Sequence, residues 1–190
     1  MKGTKLQDIT HVQAQELLHE DTIVVLPIGG GSKEHGAHLP MGTDMFVAQW
    51  LADQVTERFP VVCLPTLSFA HYPAFVEWKG SVSIESMTFI KVVKDIIISF
   101  ARHGIKKFLI IDFGLSTKYP LYTVATSLNN EYHIKVAITL AEGLGYEAVQ
   151  AVCEQERGGH ACESETSLML YINEQLVHMD KAVEEYSEIL

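Results

Sequence analysis

Thr22-Ile23-Val24-Val25-Leu26-Pro27-Ile28, followed at once by Gly29-Gly30-Gly31, is the stretch on which the fold turns. A short apolar, β-branched run closed by glycines has the character of a strand buried on both faces, as in parallel sheets. Downstream, Asp44–Arg58 carries Phe46, Val47, Trp50, Leu51 and Val55 at helical spacing, and Pro60–Pro65 (PVVCLP) reads as a second strand. Ile84–His103 is the longest helical pattern, with Phe89, Val92, Val93, Ile96, Ile97 and Phe100 on one side. His103-Gly104 suits its end, because glycine accepts the left-handed conformation beyond a helix C-terminus. Lys107–Asp112 is a third strand, Tyr119–Asn130 a helix, Ile134–Ile138 a fourth strand and Glu163–Leu176 a last helix. Upstream, Leu6, Val12 and Leu17 fit a short amphipathic segment, and Ser68–Ser83 and Glu142–Glu163 read as irregular. Alternating strands and helices predict an α/β layered domain with a central, largely parallel sheet flanked by helices, a single domain over residues 1–190. Ligands in such sheets bind outside the carboxyl ends of the strands. Here those positions are Gly29–Gly42, Thr66–Trp78 and Phe113–Pro120.

Composition narrows the function classes. Fourteen Lys and Arg against 24 Asp and Glu give a formal charge of −10, which argues against a nucleic-acid or anionic-membrane partner. No apolar run reaches the roughly 18 residues of a membrane span, and the first twenty residues lack the apolar core of a signal peptide. Cys63, Cys153 and Cys162 form no CxxC pair, which fits a reducing, cytoplasmic setting.

Chemistry-bearing residues gather in three places. Glu34, His35, His38 and Asp44 lie within eleven residues directly after the first strand. Imidazole nitrogen and carboxylate oxygen are ligands for Zn²⁺ or Mn²⁺, and the glycines allow a fold tight enough for them to converge. The plainer reading makes Asp44 or Thr43 a helix cap and leaves Glu34 and His35 solvated. The second cluster is Gly158-Gly159-His160-Ala161-Cys162-Glu163-Ser164-Glu165 at the head of the last helix. His160 there has the pKa range of a general acid or base, while Ser164 and the acids would also serve as ordinary caps. The third is Phe69–Phe75 with His71 and Tyr72, followed by Trp78, either the wall of a small polar ligand's pocket or a subunit contact.

These residues resemble the creatininase (creatinine amidohydrolase) family. Val24–Gly29 and Glu34–Asp44 (VVLPIG…EHGAHLPMGTD) are similar to its amino-terminal pattern of Pro-x-Gly-Ser-x-Glu-Gln-His-Gly-Pro-His-Leu-Pro-x-x-x-Asp. Gly80-Ser81-Val82-Ser83 looks like its Gly-Thr-Ile-Ser segment. The passage from His103-Gly104 to Lys107–Asp112 matches its helix, His-Gly, strand order. His160-Ala161 with Glu165-Thr166-Ser167 matches its His-Ala-Gly-x-x-Glu-Thr-Ser signature. The resemblance implies an α/β fold, metal-dependent hydrolysis of a cyclic amide or related C–N bond, a two-metal centre, and a homo-oligomer such as a hexamer. Position by position, His35 looks like a metal-binding His, Asp44 like the acid that bridges the metals, and His160 like the His that assists proton transfer. The sequence departs from the pattern twice. Lys33-Glu34-His35 stands where the family has Glu-Gln-His, so Lys33 falls on the ligand Glu unless the longer glycine run moves Glu34 into that role. Where the family reads Asn-Gly-His, this chain has Asp112-Phe113-Gly114, with Gly114 in place of a ligand His and Ser116 in place of a possible Glu.

The expected chemistry is hydrolysis of a small polar, cyclic, amide-type substrate by metal-activated water, with one or two Zn or Mn ions. Glu34, His35 and Asp44 hold at least one ion in this reading, Glu165 is a ligand or orients one, and His160 with Glu34 carries protons. Ser116 and Thr117 contact the substrate, and His71 and Tyr72 line the pocket. The competing readings are a non-catalytic small-molecule binder, an oligomeric scaffold using the aromatic loop and the acidic tail Asp180–Leu190, and hydrolysis of a ring ketone or lactone on the same site.

Overall fold

The computed structural model describes residues 2–140, 145–155 and 158–184. Five parallel strands form one sheet in the order β1-β3-β2-β4-β5. They are β1 (Thr4–Lys5), β2 (Ile23–Ile28), β3 (Val61–Cys63), β4 (Lys107–Asp112) and β5 (Lys135–Leu140). Between and after them run α1 (His11–Leu17), α2 (Thr43–Arg58), α3 (Ser86–Ala101), α4 (Lys118–Tyr132), α5 (Tyr146–Val152) and α6 (Glu163–Asn173). The four strands and the long helices expected from the hydrophobic pattern are all present. Two elements fall where no period announced them. β1 is a two-residue edge strand beside β3, and α5 lies inside a segment read as irregular. Part of that segment (141–144 and 156–157) and the end of the acidic tail (185–190) lie outside the described residues.

Side chains alternate across the sheet and build two core layers. Val24, Leu26 and Ile28 of β2, with Phe108 and Ile110 of β4, meet Phe89, Val93 and Ile97 of α3 and Leu121, Val124 and Leu128 of α4. Phe89, Val93 and Ile97 recur every fourth residue, so a single stripe of α3 is fully buried. Val25, Val61, Cys63 and Ile111 point the other way and pack on Ala52 of α2. That placement makes Cys63 a packing residue.

The strand order fixes where a site can form. From β2 the chain passes through α2 to β3 on one side, and from β4 it passes through α4 to β5 on the other. The crevice outside the adjacent ends of β2 and β4, where Ile28 pairs with Asp112, is therefore the topological switch point. A third cluster, Leu39, Val47 and Met169, docks α6 on α2 and brings the far segment 160–166 over this crevice.

Gly29 sets the approach of β2 to α2. A Cβ at this position would lie 2.5 Å from the Asp44 carbonyl carbon and 2.8 Å from the Met45 nitrogen. Both are backbone atoms that no side-chain rotation can clear. Gly29→Ala is thus expected to cost about 1–3 kcal/mol by overpacking, read as a lower denaturation midpoint, and to displace Asp44 from its partners.

Candidate functional site

The loop from Gly29 to Gly42 and the first turn of α2 supply one wall of the site. Lys33, His35, His38 and Asp44 are all buried there. Lys33 Nζ lies 2.7 Å from Asp44 Oδ2, and His35 Nε2 lies 2.8 Å from Asp44 Oδ1. The Lys33 ammonium also sits 5.1 Å from the centre of the Tyr72 ring and 4.8 Å from that of Phe75, within cation–π range. Burial pushes the Asp44 carboxyl up, but the hydrogen bond and charge of His35 together with Lys33 hold it below the usual carboxylate range.

His35 donates Nδ1–H to the Lys33 carbonyl at 3.1 Å. This leaves Nε2 facing a carboxylate oxygen, an arrangement that calls for a proton or a cation between them. Glu165 Oε1, on the first turn of α6, stands 4.0 Å from the same nitrogen. Its other oxygen is buried with no hydrogen-bond partner.

His160 completes the group. Its Nε2–H donates to Glu34 Oε2 at 2.8 Å, and its ring stacks at a tilt between His35 (4.9 Å) and Phe75 (4.5 Å). Glu34 is held in turn by the Gly36 N–H and its own amide is held by Ser81 Oγ. Burial lowers the His160 pKa, and the Glu34 hydrogen bond works in the opposite sense. Among the described residues, one ligand atom each from His35, His160 and Glu165 lies within 4.8 Å of the others. His38 takes a structural position: its Nε2 is 2.9 Å from Thr166 Oγ1, tying the loop to α6.

The sequence-derived candidates therefore separate. Glu34, His35, His160 and Glu165 come together, and Asp44 adjoins them through His35 while its second oxygen belongs to Lys33. Of the two residues weighed for the family's ligand Glu, Glu34 lies on His160 and Lys33 on Asp44. Tyr72 is buried under the site, its ring packed between Gly30 and Gly114, and burial drives its hydroxyl well above the usual tyrosine range. Thr117 is buried with its hydroxyl on Asp112 Oδ2 (2.6 Å) and the Gly114 carbonyl (2.9 Å). Ser116 is half-buried on the same turn. His71 donates Nδ1–H to the Ile84 carbonyl at 3.0 Å, which anchors the aromatic loop.

Two participants were not among the candidates. Lys33 was read only as a departure from a pattern, since a lysine beside glycines gives no signal of burial. Asp112 ends β4 at the switch point, buried, with Oδ1 lacking a partner. An acid at the carboxyl end of a parallel strand was the available clue.

The residues present fit one metal ion. His₂-carboxylate is a known three-ligand set for a catalytic ion, the lone pair on His35 Nε2 is oriented, and Glu165 brings an unpartnered buried oxygen. The space beside Asp44 Oδ2 holds the Lys33 ammonium instead.

Comparison with known proteins agrees with the fold. The family model for creatininase, described as creatinine amidohydrolase, matches residues 7–189. A 3-dehydro-scyllo-inosose hydrolase of Thermotoga maritima is 23% identical over 96% of this chain and 60% of its own length. A creatinine amidohydrolase of Pseudomonas putida is 26% identical over 48% of this chain and 37% of its own length. The chain thus spans less than two thirds of both curated relatives. Among solved structures, a Mn creatininase has a TM-score of 0.82, covering 100% of this chain and 80% of its own. A mutant creatininase of Zn-Zn type has a TM-score of 0.81, covering 97% and 78%. At 21% identity each, these two show the shared fold. Among the described residues, no helix is long and apolar enough to cross a membrane.

Proposed function

The chain belongs to the creatininase family, and from that premise we propose that it is a metal-dependent hydrolase of small, polar, cyclic substrates. The convergence of His35, His160 and Glu165 on one point carries this reading. These three would hold a divalent ion, Zn or Mn, with Asp44 Oδ1 beside them. When bound, such an ion supplies Lewis acidity toward a carbonyl oxygen and an acidified water near neutral pH.

The chain's own side chains then divide the remaining work. Lys33 O holds the His35 ring so that Nε2, and not Nδ1, faces the site. Glu34 does the same for His160 through Nε2–H, leaving Nδ1 with its lone pair. Glu34 is partly exposed, and a carboxylate with spare acceptor capacity can take a proton from attacking water and return it to a leaving nitrogen. His71, Ser116 and the aromatic loop would meet the substrate, and a homo-oligomer accompanies this reading.

An amide-type C–N bond is the first substrate class. Hydrolysis of a ring ketone is the second, favoured because the inosose hydrolase matches nearly the whole chain whereas the creatinine amidohydrolase matches about half. Both reactions begin with water adding to a ring carbonyl, so one site can serve either.

The test combines metal counting with a screen of cyclic amides, lactones and ring ketones. Wild-type protein should retain Zn or Mn and hydrolyse one of these classes. Glu34→Gln should keep the ion and lose about 10²-fold in kcat, the range of a positioned acid–base group. His160→Ala should bind the ion at least about tenfold more weakly. Full turnover by Glu34→Gln would remove Glu34 from the chemistry. A full equivalent of ion in His160→Ala would limit His160 to proton transfer.

A further inference from the structure

We propose that the Lys33 ammonium is a built-in cation of this site, occupying the position beside Asp44 that a second metal ion would take, so that the site accepts at most one ion. The inference deepens the hydrolase reading above and rests on it for the remaining ion.

Three independent observations carry it. Lys33 Nζ is 2.7 Å from Asp44 Oδ2, with both side chains buried, so the oxygen facing away from His35, which makes no hydrogen bond, has the ammonium as its counter-charge. The ammonium also lies within cation–π range of the Tyr72 and Phe75 rings, which offer it a π-face. The other edge of the Tyr72 ring packs on Gly114: a Cβ there would stand 3.0 Å from Tyr72 Cε1 and 2.9 Å from Thr117 Oγ1, so a larger side chain at that position would have to displace one of them.

Charge leads to the same result. Beside its histidines the group holds one cation, Lys33, in contact with Asp44, and the carboxylates of Asp44, Glu34 and Glu165. The two uncompensated negative charges match one divalent ion. A second ion would leave this group of Lys33 and three carboxylates with net positive charge. Replacing Lys33 by Glu changes the local charge by two units, the charge of one additional divalent ion. Asp44 then joins an ion on its Oδ1 side to an ammonium on its Oδ2 side, where the solved creatininase of Zn-Zn type is named for two metals.

The experiment counts Zn or Mn per chain by elemental analysis after equilibration with excess ion and gel filtration, on wild type, Lys33→Glu and Lys33→Ala. Thermal midpoints are recorded with chelator and with metal. Wild type is expected to hold no more than one ion, and Lys33→Glu one more than wild type. Lys33→Ala is expected to have a lower midpoint than wild type in chelator and to gain more from added metal. Should Lys33→Glu fail to fold, the wild-type count and the Lys33→Ala midpoints decide. Two ions on the wild type would overturn the proposal while leaving a metallohydrolase. No gain of ion in Lys33→Glu, or equal metal response in Lys33→Ala and wild type, would also overturn it. No ion on wild type with one on Lys33→Glu would uphold the role of Lys33 and sink the one-ion hydrolase.

Discussion

Asp44→Ala is expected to abolish ion retention and turnover together and to lower stability by about 3–5 kcal/mol, the cost of stranding a buried charge. Asp44 is 1% exposed and is the counter-charge to Lys33, itself 6% exposed. Removing the carboxylate leaves an ammonium between two aromatic rings with no anion in contact. It also frees His35 Nε2, so the ring loses one of the two bonds that fix it. In a chain of this size the thermal midpoint should fall on the order of 10 °C, measured in chelator so that metal linkage plays no part. The double variant Lys33→Met/Asp44→Leu separates the two roles. Exchanging a buried ion pair for packed apolar side chains is often neutral, so the double variant should recover most of the midpoint and none of the activity. An unchanged midpoint and full activity in Asp44→Ala would refute both the pairing and its place in the site.

How much of this was legible in the sequence depends on the range of each interaction. The alternation of Val24, Leu26 and Ile28 against Val25, and the four-residue recurrence in α3, are local patterns dictated by backbone geometry. β1 pairs only Thr4 and Lys5 with β3, too short for any periodicity. The Glu34, His35 and Asp44 group was visible because all three residues lie within eleven positions, on one loop and the helix turn it runs into. His160 and Glu165 join it through contacts between distant segments, the packing of Met169 on Leu39 and Val47 and the His38–Thr166 bond; family resemblance pointed to those residues where periodicity could not. The Lys33–Asp44 pair was hidden for a different reason. Burial of a lysine is decided by what covers it, and here the cover is Tyr72 and Phe75 from the aromatic loop. The same ring explains Gly114: a missing ligand in the sequence is, in three dimensions, a space filled by Tyr72.

The second large effect concerns Asp112 and pH. Burial raises its carboxyl to about 8, with the Thr117 hydrogen bond lowering it, the charge of Asp44 raising it and that of Lys33 lowering it. In the unfolded chain the group ionises near its ordinary value of 3.8. Between these two values the folded state holds a proton that the unfolded state has released. Stability from this group is therefore full below the unfolded pKa and is lost as pH rises toward the folded one. The slope is about 1.4 kcal/mol per pH unit, or roughly 4 kcal/mol across pH 5–8 as an order of magnitude. Buried His38 and partly buried His160 have pKa values lowered by desolvation and tilt the profile the other way below about pH 6.5, so the wild-type curve alone does not isolate Asp112. Asp112→Asn does. The amide keeps an acceptor for Thr117 Oγ1–H and never ionises, while the histidine contributions remain. Urea unfolding of both proteins from pH 5 to 9 should show the Asn variant gaining on wild type with each unit, and the gap levelling above pH 8. Parallel curves would mean that Asp112 is ionised in the folded protein. Its unpartnered Oδ1 would then need a cation at the end of β4, and Lys33 would be the nearest claim on that charge.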